Sequence, residues 1–180
     1  MDKAKHYLAE MDYCVRFALA NRERMLRAVE ECVADVVWIA DFEDPINIAH
    51  NYASMEHHFG QNVMVHRKGA TSARKGELGI IPGSQGTKSY IVRGLGNPLS
   101  FGSCSHGAGR TMGRKQAKRE LDLAEQRAIL DDQGIVHGVR HVSDLDEAPG
   151  AYKDIHEVME NQKDLVEIVT ELTPLGVVKG

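Results

Sequence analysis

The chain has 180 residues, 42% of them hydrophobic and 27% charged, with a formal net charge of −4. This is the composition of a soluble globular protein, long enough to bury roughly two thirds of the surface its unfolded form exposes. It excludes an overall basic field, so contact with a nucleic acid must come from a local patch such as Arg110, Arg114, Lys115, Lys118 and Arg119.

Three widely spaced cysteines, Cys14, Cys32 and Cys104, form no CxxC pair. An odd, scattered set argues for a reducing compartment and against a disulfide framework or a zinc knuckle. Charges fill the first 30 positions and no apolar run reaches 18 residues. The expectation is a cytoplasmic protein with no membrane association.

Residues 2–34 read as helix, because Leu8, Met11, Val15 and Ala18, then Met25, Val29 and Val33, recur at steps of three and four, with Asn21 a candidate break. Periodicity leaves 35–42 open between a buried strand and a helical turn. Asp44-Pro45 then offers an N-cap and first-turn pair for a helix carrying Ile46, Ala49, Ala53 and Met55. On such a helix His50 and His57 share a face, while His58 is turned about 100 degrees away.

Val63, Val65 and Arg67 alternate in a strand over 61–71, and the Gly- and Ser-rich stretch 78–112 reads as short strands and tight loops. Arg114–Leu130 reads as a strongly amphipathic helix, 134–142 as a strand, Asp154–Lys163 as a short helix and Leu165–Leu172 as a last strand. Without a regular βαβ rhythm the fold class is α+β. The organisation is a helical segment 1–34, a loop-rich segment 35–113 and a helix–strand segment 114–180.

Two loops stand out. In "IPGSQGTKSY", Gly83 and Gly86 flank Ser84 and Gln85, so backbone amides and hydroxyls can converge on an anion. It is no Walker loop, since GxxxxGK[ST] is absent. In "SFGSCSHGAGRTMGR" the single histidine His106 lies among small residues, with Arg110 and Arg114 behind it. No GxSxG serves a serine hydrolase. A neutral imidazole can itself attack phosphorus while cations take up the developing charge, and the small neighbours leave room for that. These residue types fit nucleotidyl transfer.

Five stretches in order, "HNYA", "HRKGAT", "IPGSQGTKSYIVRG", "NPLSFGSCSHGAGR" and the terminal "VVKG", resemble the RtcB family of GTP-dependent RNA ligases from near residue 5 to Gly180. The resemblance implies the later half of an RtcB-like fold, GTP and manganese as cofactors, and RNA ends such as tRNA halves or broken RNA as partners. By resemblance, His106 accepts GMP, His50 binds manganese at the nucleotide, and Asn51 contacts nucleotide or RNA phosphate. Pro82, Gly83, Ser84, Gln85 and Ser89 hold the guanine nucleotide, and Gly107, Ala108 and Gly109 lie beside the covalent GMP. Lys179 contacts the base, Tyr152 stacks on it, and Arg114 holds RNA phosphate.

The family's other metal ligands, an Asp/Cys pair, the histidine of "GGGNHF" and a further histidine, lie in an upstream half and have no counterpart here. Gly113 replaces the family's usual serine. A missing upstream half or an activator protein is therefore an expected partner. A non-catalytic guanine-nucleotide or RNA-binding module, or an inactive remnant, are the other readings.

Overall fold

Helix α1 (Lys3–Val36) runs unbroken through Asn21, whose side-chain amide meets Met25 Sδ one turn on. The computed structural model describes residues 3–37 and 41–178, so the centre of the ambiguous 35–42 stretch falls outside the described residues. The chain divides into two compact units, Met1–Thr71 and Ser72–Gly180.

In the first unit α1 lays Leu8, Met11, Val15 and Ala18 half-buried along one stripe and has no fully buried residue. The expected helix after Asp44-Pro45 does not form. Residues 44–50 are irregular, and Asn51–His58 is strand β1, paired antiparallel with β2 (Gln61–Lys68) from Asn51↔Lys68 to His58↔Gln61. The two-residue turn Phe59-Gly60 has φ of 51° and 78°, the geometry whose twist matches that of the strands it joins.

Pairing also rests on Arg67, which is 2% exposed and donates to both Glu56 carboxylate oxygens at 2.5 and 3.0 Å. Ser54 Oγ and His58 Nε2 complete the shell around Glu56 at 2.6 and 2.9 Å. Pairing on that face overrides the helical spacing of Ala49, Ala53 and Met55. His50 and His57 share no helix face. Strand β3 (Ala70–Ser72) marks the boundary of the units.

The second unit is built on a three-stranded antiparallel sheet in the order β4 (Leu78–Ile81), β5 (Ser89–Gly94), β7 (Val166–Leu172). Ile81, Tyr90, Val92 and Val166 pack with Cys104, Ala108, Ile155 and Met159 into one core. Strand β6 (Ser103–Ser105) carries Cys104, and α4 (Ile155–Glu160), capped by the Asp154 carboxylate, carries Ile155 and Met159. Helix and sheet segregate in this α+β way throughout.

The helix expected over 114–130 is two helices, α2 (Arg114–Glu120) and α3 (Leu123–Asp131), because Asp122 caps a new start by accepting from Glu125 N–H at 2.9 Å. A second core of Leu130, Ile135, Val139, Leu145 and Ala148 lies against α3. No strand spans 134–142. Val136 bridges Gly176 in the C-terminal tail, and buried His137 is held by Asp131 at 3.0 Å and by Val139 N–H at 3.2 Å.

Candidate functional site

His106 sits half-buried at the apex of a turn that begins where β6 ends. Ser105 Oγ donates to the Gly107 carbonyl at 2.6 Å, closing the turn from beneath, and Ser105 N–H donates to the side chain of Gln162 at 3.0 Å. Gln162 is itself only 4% exposed. Beyond the histidine, Ala108 N–H donates to the Pro82 carbonyl at 3.0 Å, Lys153 N–H to Gly109 O at 3.0 Å, and Thr111 N–H to Ala151 O at 3.0 Å. The loop is short of bulk yet fixed at both ends.

The Ala108–Pro82 bond also ties this loop to the other glycine loop. There, Gly83 N–H donates to Ser89 Oγ at 3.3 Å, and Ser84 N–H to Thr87 Oγ1 at 2.6 Å. A Cβ on Gly83 would lie 2.2 Å from the Lys88 carbonyl oxygen, and one on Gly107 3.1 Å from the Pro82 carbonyl. The two loops thus approach as backbone against backbone, with the amides of Gly83, Ser84 and Ala108 paired within the protein.

Gln85 continues this loop into a cleft of about 350 Å³ shared with Lys118, Val139, Ser143, Asp144 and Val177. Its Oε1 is buried and has no hydrogen-bond partner, which leaves one acceptor for a bound group. The tail reaches this cleft because Val177 N–H donates to Val136 O at 2.8 Å. Lys179 lies outside the described residues.

The arginines divide their roles. Arg110 donates through Nε to Met112 O at 3.0 Å, through Nη1 to Tyr152 Oη at 3.2 Å, and through Nη2 to Asp146 O. Its guanidinium carbon stands 5.0 Å from the centre of the Tyr152 ring. Arg110 is therefore a brace across the loop, with all three nitrogens engaged. Tyr152 is half-buried against the core, one face toward that guanidinium. Arg114, the first residue of α2, is exposed and paired with Glu147 at 3.1 Å.

His50 and Asn51 belong to the first unit. His50 lines a cavity of about 240 Å³ with Met11, Cys14, Val15, Arg22 and Asn51. Burial first, then the charges of Arg22 and Lys68, push its imidazole pKa below the ordinary value, which favours the neutral ring that can act as a ligand. Among the described residues no three His, Cys, Asp or Glu side chains form a group that could hold a metal ion. One imidazole is too few ligands for manganese, and the described donors do not by themselves fit that ion. His57 and His58 are bound instead to Asn62 and Glu56, and His66 stacks on Tyr7 with ring centres 6.3 Å apart.

Sequence reasoning missed Ser105 and Gln162, which hold the His106 loop, and, in the first unit, Asn47 and Arg22, which hold the backbone before His50. Only Arg22 left a sequence signal, a charge extending the apolar stripe of α1.

Comparisons with known proteins give the family. A family model described as tRNA-splicing ligase RtcB matches residues 1–180. The RNA-splicing ligase RtcB of Escherichia coli strain K12 is 44% identical over 181 residues, covering 97% of this chain and 43% of its own length. That of Mycobacterium tuberculosis is 38% identical over 195 residues, 97% of this chain and 45% of its own. The tRNA-splicing ligase RtcB of Thermococcus kodakarensis is 34% identical over 207 residues, 99% of this chain and 42% of its own. The chain thus spans less than half the length of the curated relatives it matches. It belongs to the RtcB family.

Proposed function

We propose that this chain carries the histidine and nucleotide-loop portion of a GTP-dependent RNA ligase that acts in the cytoplasm on tRNA halves or broken RNA. The single observation that carries the reading is His106 at the apex of a stapled turn, whose loop is bonded to the Pro82–Ser89 loop through Ala108 N–H and Pro82 O at 3.0 Å. In this reading Pro82, Gly83, Ser84, Gln85 and Ser89, with Gly107, Ala108 and Gly109, cradle the nucleotide, and Lys179 and Tyr152 engage the base.

A neutral ring nitrogen of His106 attacks the α-phosphorus of GTP; a nitrogen–phosphorus bond forms and the bond to pyrophosphate breaks. The RNA 3′-phosphate then takes GMP from the histidine, which leaves the ring neutral again. A 5′-hydroxyl finally displaces GMP to close the phosphodiester, its proton passing to solvent. Where the end is a 2′,3′-cyclic phosphate, water opens it first. Charge develops on phosphoryl oxygens at each step, and in this reading Arg114, exposed at the start of α2, takes up part of it. A non-catalytic binding module is the weaker reading, since the relatives named above are all ligases.

The test is joining of an RNA with a 3′-phosphate to one with a 5′-hydroxyl, with GTP and manganese, adding the upstream portion of the E. coli relative. Joined product that vanishes with His106→Ala supports the proposal. Joining unaffected by that substitution rejects it.

A further inference from the structure

We propose that Arg22 is a positioning residue for His50 and Asn51, holding the backbone that presents them. This rests on the ligase reading above together with the family resemblance, by which His50 binds manganese at the nucleotide and Asn51 contacts nucleotide or RNA phosphate. Arg22 Nε donates to Asn47 Oδ1 at 2.8 Å and Nη2 to the Ile48 carbonyl at 3.2 Å. Asn47 returns a bond from Nδ2 to the Leu19 carbonyl on α1 at 3.1 Å. The three bonds close a clamp between the middle of α1 and the stretch leading into His50.

That stretch needs a clamp. Residues 44–50 belong to no helix or strand, and β1 begins only at Asn51. Opposite the clamp, Thr71 Oγ1 donates to the Ala49 carbonyl at 3.2 Å and Gly69 N–H to the His50 carbonyl at 3.1 Å. His50 is therefore held from two sides by side-chain and main-chain bonds rather than by a ladder. Arg22 lines the same cavity as His50 and Asn51. Its planar fork reaches a side-chain oxygen and a main-chain oxygen at once, which the single ammonium of lysine cannot do in the same way.

The bonds of Arg22 go to Asn47 and the Ile48 carbonyl, so its effect comes through geometry, to which phosphoryl transfer is sensitive at the ångström level.

Two readouts test this on the full chain. One is hydrogen exchange at the Gly69 amide against amides of the β1–β2 ladder. The other is affinity for a labelled RNA ending in a 3′-phosphate against the same RNA ending in a 3′-hydroxyl. Arg22→Ala is expected to speed Gly69 exchange and to cut the preference for the phosphate end, each about tenfold, as for loss of a charge-assisted bond. The ladder amides stay protected. Arg22→Lys keeps the charge but recovers neither fully.

Asn51→Ala should abolish the phosphate preference and leave Gly69 exchange alone. Unchanged Gly69 exchange in Arg22→Ala overturns the clamp, as does loss of protection spread evenly over the hairpin. If the wild type shows no phosphate preference but Gly69 still loosens in Arg22→Ala, the clamp stands and the ligase reading falls.

Discussion

Replacing Gly83 by alanine places a methyl group 2.2 Å from the Lys88 carbonyl oxygen and 2.4 Å from Thr87 Oγ1. Ordinary contact begins near 3.4 Å, so the backbone of the loop must open by about 1 Å, a strain that costs about 1–3 kcal/mol in a packed setting. The opening also pulls on the bonds that close the loop, Gly83 N–H to Ser89 Oγ and Ser84 N–H to Thr87 Oγ1. Each is worth about 0.5–1.5 kcal/mol, for a total of about 2–6 kcal/mol. Gly113→Ala is the control, because a Cβ there meets nothing within 4 Å. Urea unfolding reports the stability, and fluorescence anisotropy with labelled GTP reports the cradle. Gly83→Ala should lower both, while Gly113→Ala, at an N-cap where alanine is poorer than glycine, should cost less than about 1 kcal/mol and leave GTP binding unchanged. Equal behaviour of the two variants would refute the account of the loop.

Arg67 first, then Ser54 and His58, hold the Glu56 carboxyl far below its ordinary 4.5 against the opposing effect of burial. A depressed carboxylate stabilises the fold above its unfolded pKa and loses that contribution as pH falls toward the folded one, so stability should decline on acidification below about pH 4.5. Glu56→Gln should flatten that decline in an acid titration followed by circular dichroism. At neutral pH it should cost about 3–5 kcal/mol, because it leaves Arg67 buried without its charge partner. Gly113 is the N-cap of α2 and offers no side-chain bond, so Gly113→Ser should raise stability by a few tenths of a kcal/mol in thermal melts. Gln162→Leu removes the acceptor of Ser105 N–H and should cost about 1–3 kcal/mol while slowing any transfer to His106 in a radiolabel assay.

Strand β2 was legible because Val63, Val65 and Arg67 alternate and its strand-forming residues agree with that spacing. Its partner β1 was not, because Ala53, Met55 and Glu56 favour helix locally, and the bond from Glu56 to Arg67 eleven residues away decides otherwise. The turn Phe59-Gly60 lacks the Asn-Gly signature usual for its geometry. Helical spacing carries on across Leu121 and Asp122, which hid the break until the Asp122 cap was seen. Residues 134–142 have strand composition, but their backbone pairs with the tail at Gly176 and not with the sheet. Glycines and His106 announced both loops of the site. The sequence makes Arg110 a phosphate contact beside His106, whereas it braces the loop, since its bonds to Met112, Asp146 and Tyr152 depend on residues up to 42 positions away.

The central claim is that His106 accepts GMP. The most direct test is the intact mass of the chain after incubation with GTP, manganese and the upstream portion of the E. coli relative, for the wild type and for His106→Ala. The account predicts an increase of one GMP on the wild type and none on the variant. An unchanged wild-type mass, or an adduct that persists in His106→Ala, would contradict it.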